Sequence, residues 1–218
     1  MKKILLSIML FFGCTAAFGQ LEINDTVVGY IVKHEREYFD EITKLYNSND
    51  PMLHVDDIAL VYYGQAFLPQ YNPGKDENEK ALKRLYEEKR NIEIYNTAKK
   101  ILTYNPVSLN ALFSIYIASK ELGKSEEECL SYLKKYQNII DMICHYGDGK
   151  SSESPFRIIT PDDQEYIMFG NLQIENVISQ TLDTETLCNI VTVKPSDKFP
   201  GQRIYFDLSL FLSQVSRE

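Results

Sequence analysis

No tryptophan occurs in the 218 residues, and histidine and cysteine are scarce at three and four. His34, His54 and His145 never stand four apart, and no Cys-x-x-Cys occurs, so the common ligand spacings for zinc are excluded. His34-Glu35-Arg36-Glu37-Tyr38 begins like a zinc-protease helix but places a phenol where the second imidazole must be. Gly-x-Ser-x-Gly is missing too, which removes the usual serine-hydrolase elbow. Positive charge is in deficit: 23 basic residues face 31 acidic ones, for a net charge of −8. Such a surface repels nucleic acid and anionic lipid, so neither is an expected partner. Lys99-Lys100 and Lys134-Lys135 lie in helical patterns and read as solvated faces. No run approaches the ~20 apolar residues that a membrane-spanning helix needs.

What is present begins with a leader. Lys2 and Lys3 precede a mostly apolar run of nine, Ile4 to Phe12, and Ala17-Phe18-Gly19 forms an Ala-x-Gly cleavage site before Gln20. Nine helical residues reach roughly 14 Å, well short of the ~30 Å hydrocarbon core. Residues 1–19 are therefore expected to be a signal peptide, and the protein to be exported to the periplasm or beyond. The alternative is acylation at Cys14, which would anchor the chain to the envelope; only then is a membrane an expected partner. Removing Lys2 and Lys3 with the leader takes the net charge from −8 to −10. Cys129, Cys144 and Cys188 remain, and an odd count argues against a disulfide framework. Cys129 and Cys144 fall in one expected helix, roughly 22 Å apart, so a bridge would have to use Cys188.

Helical periodicity runs from residue 20 to 146. One helix is expected over Thr26–Tyr46, stopped by Asn47-Ser48-Asn49-Asp50-Pro51, and a shorter one over Ile58–Phe67, with Asp56 and Asp57 as candidate caps. Asp76–Tyr104 reads as a long amphipathic helix, and Val107–Leu122 as a central helix ended by Gly123. Ser125 and Glu128 form a capping box opening a helix through about Cys144. Pro106 and Gly123 carry the proline-to-glycine offset of a tetratricopeptide-like hairpin, though fewer repeats are visible than a stable array needs. Tyr146 to Pro155 is a composition break. Beyond it, Phe156–Ile159, Val177–Leu182, Leu187–Val193 and Arg203–Leu208 read as strands, with a helical turn or two at Gln164–Leu172. The expected fold is α+β: helical hairpins over residues 20–146 covering an antiparallel sheet of about four strands within residues 147–218.

Several phrases resemble a known family. Val61-Tyr62-Tyr63-Gly64-Gln65-Ala66-Phe67 followed by Gln70-Tyr71-Asn72-Pro73, then Gly147-Asp148-Gly149, Ile159 to Tyr166, and Ile204-Tyr205-Phe206-Asp207 are similar to the pattern of the exported bacterial domain-of-unknown-function family 4919. The sequence departs from it at Pro73-Gly74. The resemblance implies export and a helical N-terminal half; it carries no catalytic residue, cofactor or partner across.

The candidate ligand site is the aromatic segment Tyr62, Tyr63, Phe67 and Tyr71, where prolines and Gly64 set the chain path and rings can stack on sugars or peptides. Against this stands the plainer possibility that the rings seal a helix seam. Asp148 between two glycines reads as a tight turn, and Asp162 or Asp163 as a helix N-cap. No catalytic set, metal site or cofactor is expected. The function anticipated is a non-catalytic module binding an envelope protein or glycan; the alternative is a hydrolase of an envelope or dietary polymer, using carboxylates such as Asp148, Asp162 or Asp163.

Overall fold

A computed structural model describes residues 24–215. The leader, its cleavage site and Cys14 lie outside the described residues. Seven helices lead: α1 (Asp25–His34), α2 (Arg36–Asn47), α3 (Val55–Gly64), α4 (Glu77–Glu87), α5 (Asn91–Leu102), α6 (Leu109–Glu121) and α7 (Glu126–Tyr146). Strand β1 (Phe156–Arg157) follows, then a short helix α8 (Asp163–Glu165) running into a π-helix (Tyr166–Asn171). Strands β2 (Val177–Asp183), β3 (Cys188–Val193) and β4 (Arg203–Asp207) and helix α9 (Ser209–Val215) complete the chain. The α+β expectation holds. Among the described residues no helix is long and apolar enough to cross a membrane.

Two expected helices are each a pair. The first breaks at Glu35 (φ −117°, ψ 47°), which re-aims its apolar stripe. Val28 and Val32 before the break and Phe39, Ile42 and Tyr46 after it are all buried, while Val27, Tyr30 and Tyr38 face outward. The second breaks at Glu88–Arg90, where Lys89 takes a left-handed conformation (φ 54°) with neither glycine nor proline to signal it. The break lets α4 fold back on α5. Leu82 and Leu85 then meet Ile94, Ala98 and Ile101 and, from α6, Ala111, Ile115 and Ala118, in a small core of their own.

Caps follow the sequence with two changes. Asp57 accepts from the His54 backbone N–H (3.0 Å), so His54 is the α3 N-cap and Asp57 its reciprocal partner. Ser125 Oγ accepts from Glu128 N–H (3.2 Å), but the Glu128 carboxylate takes the Tyr95 hydroxyl (2.6 Å) instead of closing a box. Gly123 ends the α6 region at φ +65°, the left-handed position expected of it.

The sheet order is β1-β4-β3-β2. β2–β3 and β3–β4 are antiparallel, but β1 pairs parallel with β4 through Phe156↔Phe206 and Arg157↔Asp207, so the sheet is mixed. The reason lies in chain path: β1 leaves α7 along the far edge, and the β2–β3 hairpin intervenes before β4 returns beside it. Alternation places Val191, Val193, Ile204 and Phe206 inward against Ile139, Met142 and Ile143 of α7. This larger core runs without interruption from Val28 to Leu210, across the composition break. Tetratricopeptide-like packing is not confirmed; Tyr132 of α7 touches both cores. Cys129, Cys144 and Cys188 are free thiols.

Candidate functional site

Tyr62 and Tyr63 are fully buried, edge to face at 4.9 Å, and offer no ring to a ligand. Phe67 packs against the larger core. Of the four aromatic candidates only Tyr71 lines a large cleft, a space of about 870 Å³. Its hydroxyl donates to the Ile159 carbonyl, tying the 70–76 loop to the segment after β1. The cleft lies between α4 and α6 on one side and residues 159–170 on the other, with Tyr136 of α7 at its back.

The α4 wall begins at Asp76, the helix N-cap, whose Oδ1 accepts from Asn78 N–H (2.8 Å) and whose Oδ2 takes the Tyr104 hydroxyl (2.6 Å). Three residues on, Glu79 stands where a capping box would turn it back to the backbone. It turns instead to α6: Ser108 Oγ donates to its Oε1 (2.6 Å) and Asn110 Nδ2 to its Oε2 (2.8 Å). The Asn110 carbonyl oxygen accepts from the Tyr166 hydroxyl (2.9 Å), which carries the network across to the opposite wall. There Phe113, Tyr136 and Tyr166 form a ring cluster with centroids 5.7–6.2 Å apart. A π-helix is a costly, wide turn found disproportionately at functional sites, and this one begins at Tyr166.

Of Asp162 and Asp163, one of them expected as a helix N-cap, the first takes that position in α8, without making a side-chain bond there. Asp163 turns inward, 3% exposed, and its Oδ2 accepts from the Tyr62 hydroxyl (2.6 Å). The buried Tyr62 thus orients a carboxyl that lines the cleft. Burial pushes the Asp163 pKa up to about 8; the Asp162 and Glu79 charges add to this, and the Tyr62 hydrogen bond opposes it. Burial raises Glu79 as well, with Asp76 and Asp162 adding to the shift and the Ser108 and Asn110 bonds opposing it. Two carboxyl groups whose proton affinities burial raises therefore share one space. Asp148 does not join them. It sits in the Gly147–Gly149 turn, paired with Lys150 at 2.8 Å and bonded by Ser154.

Glu79, Asn110, Phe113, Tyr136 and Tyr166 were not legible as site residues. The one signal was Asp76-x-x-Glu79, which reads as an ordinary cap. Among the described residues no group of His, Cys, Asp or Glu has the geometry to hold a metal ion.

A family model described as Domain of unknown function (DUF4919) matches residues 25–217. No curated protein and no solved structure matches the chain.

Proposed function

The chain belongs to the DUF4919 family, and we propose that it is an exported, non-catalytic binding module whose envelope ligand, a glycan or protein segment, enters the cleft between α4–α6 and residues 159–170. The observation that carries this reading is the cleft itself. About 870 Å³ is the size of a ligand site, and aromatic rings line it among fixed hydrogen-bonding groups. Export rests on the leader pattern of residues 1–19. Intact mass of protein recovered from the producing cell should match a start at Gln20; an acylated start at Cys14 would replace secretion by anchoring.

Phe113→Ala tests the cleft. Its half-buried ring stacks with Tyr136 and Tyr166, so removing it should weaken any bound envelope oligosaccharide or peptide by about tenfold. Tyr38→Ala, at an exposed site on α2, should leave affinity unchanged. Calorimetric titration reads both, and equal affinities for the two variants would move the site elsewhere.

One observation favours a second reading, hydrolysis. Acid–base cleavage of a glycosidic bond uses a pair of carboxyls, and Asp163 and Glu79, both with proton affinity raised by burial, line one space. The same titrations, followed for release of reducing ends, distinguish it. Turnover that vanishes in Glu79→Gln while binding persists would make the module an enzyme.

A further inference from the structure

From the chemistry of the cleft walls we infer that the ligand group it takes is an organic cation, an alkylammonium or guanidinium. This rests on the cleft being the binding site and goes on to name what it binds.

The first argument is charge. Six acidic side chains line the cleft, with Asp76, Glu79, Glu87, Asp162 and Glu165 as carboxylates and Asp163 held as the neutral acid, against two ammonium groups, Lys80 and Lys83. Lys80 is spoken for, bonding Glu77 at 2.8 Å. Some acids elsewhere are paired: Asp25 and Asp207 share Arg157, Glu88 and Glu93 share Arg90, and Asp40 and Asp148 have Arg36 and Lys150. Among the described residues no salt bridge reaches any of these six acidic side chains. Like charges gathered in a concave, poorly solvated space focus a negative field and favour a positive guest.

The second argument is hydrogen-bond polarity, and it does not depend on net charge. The donors that face the carboxylates, from Ser108, Asn110, Tyr62 and Tyr104, are already used within the protein. Acceptor capacity remains in the second lone pairs of those carboxylates and in Asn105 Oδ1, a cleft-lining atom that is buried and without a partner. These acceptors favour a guest rich in donors. Ammonium and guanidinium groups are donors with no acceptor, whereas a sugar hydroxyl brings both in equal measure.

The third is the aromatic lining. Rings flanking carboxylates bind such cations through their faces while the carboxylates take the N–H groups. The chain already uses the motif on its surface, where Lys99 and Lys124 lie 5.7 and 4.9 Å from the Tyr95 ring centroid.

Two sources could present this chemistry, a free amine or a basic side chain on a partner protein. Titration of the full chain with agmatine and with tri-arginine peptide separates them. Tri-citrulline, nearly isosteric and neutral, is the control, and chitotriose stands for a neutral glycan. The expected result is binding of at least one cationic probe, about tenfold or more tighter than tri-citrulline, weakened by added salt and weakened about tenfold by Glu79→Gln. Agmatine binding as tightly as the peptide identifies a free amine; preference for the peptide identifies a protein partner. Equal affinity for tri-arginine and tri-citrulline overturns the inference. Binding of chitotriose without either cation overturns it too while leaving the cleft as the site, and binding of none of the four by a folded chain removes both.

Discussion

Asn in place of Asp163 should raise the stability of the protein at neutral and alkaline pH. The Asp163 carboxyl has a folded-state pKa of about 8 against the usual 3.8, so between those values the native state holds a proton that the unfolded chain has released. Stability contributed by that proton is complete below about pH 4 and is lost as pH rises through about 8. Full loss corresponds to several kcal/mol on paper, of which relaxation and water entry leave on the order of 2 kcal/mol. Asn keeps an oxygen for the Tyr62 hydroxyl and supplies permanently the donor that the protonated acid provides only at low pH. The measurement is thermal unfolding at pH 5, 7 and 9. Wild type should lose stability across that range, and Asp163→Asn should flatten the loss and gain roughly 4–8 °C at pH 9. A variant equally weakened at every pH would show that Asp163 is a paired, ionised group. A chain that would be firmer with Asn yet carries Asp holds a destabilising carboxyl where a ligand can use it.

Gly147→Ala should have the larger effect on folding, in the opposite direction. Gly147 closes α7 through its N–H to the Ile143 carbonyl, in an extended conformation that any residue adopts (φ −155°). The obstacle is space. A Cβ there would lie 2.0 Å from the Pro155 carbonyl oxygen and 2.7 Å from its carbon, and backbone cannot swing aside as a side chain can. The chain is held there from both sides: the N–H groups of Asp148 and Gly149 both donate to the Ser154 carbonyl, and β1 begins at Phe156. Relief means parting the end of α7 from β1, at a cost of roughly 3 kcal/mol or more. Gly123→Ala is the matched comparison, because its Cβ meets nothing within 4 Å and only its left-handed φ of +65° is penalised, at about 1 kcal/mol. Urea denaturation of the pair separates crowding from conformational strain, and equal losses would contradict the steric account.

Much of the fold was readable because local rules and tertiary packing agree. Three strands lie within one residue of their expected bounds and β1 ends two residues early, although the Ile158 N–H still donates to the Asp207 carbonyl, and Gly123 and the Asn47–Asp50 stop behave as their chemistry requires. The helix breaks at Glu35 and Lys89 were hidden because each is imposed by packing on residues that favour helix. The parallel pairing of β1 was hidden because register and neighbour are long-range properties that two residues do not encode. The site was the least legible part. Tyr62 was noticed for its ring, yet it is the hydroxyl that reaches the site, through Asp163, 101 residues away in sequence. Glu79 looked like an ordinary first-turn acid, and only the approach of α6 shows that its carboxylate belongs to a cleft.

The small bundle of α4, α5 and α6 joins the rest of the protein through α6, whose Leu109 and Leu112 are buried in the larger core, and through Leu102 and Tyr132, which touch both cores. It also carries Asp76 and Glu79, and so an entire jaw of the cleft. Occupancy and cohesion of that bundle are therefore a single equilibrium. A guest gripping both jaws clamps the bundle to the body of the molecule, and any change that lets the bundle breathe loosens the grip, however far from the guest it is made.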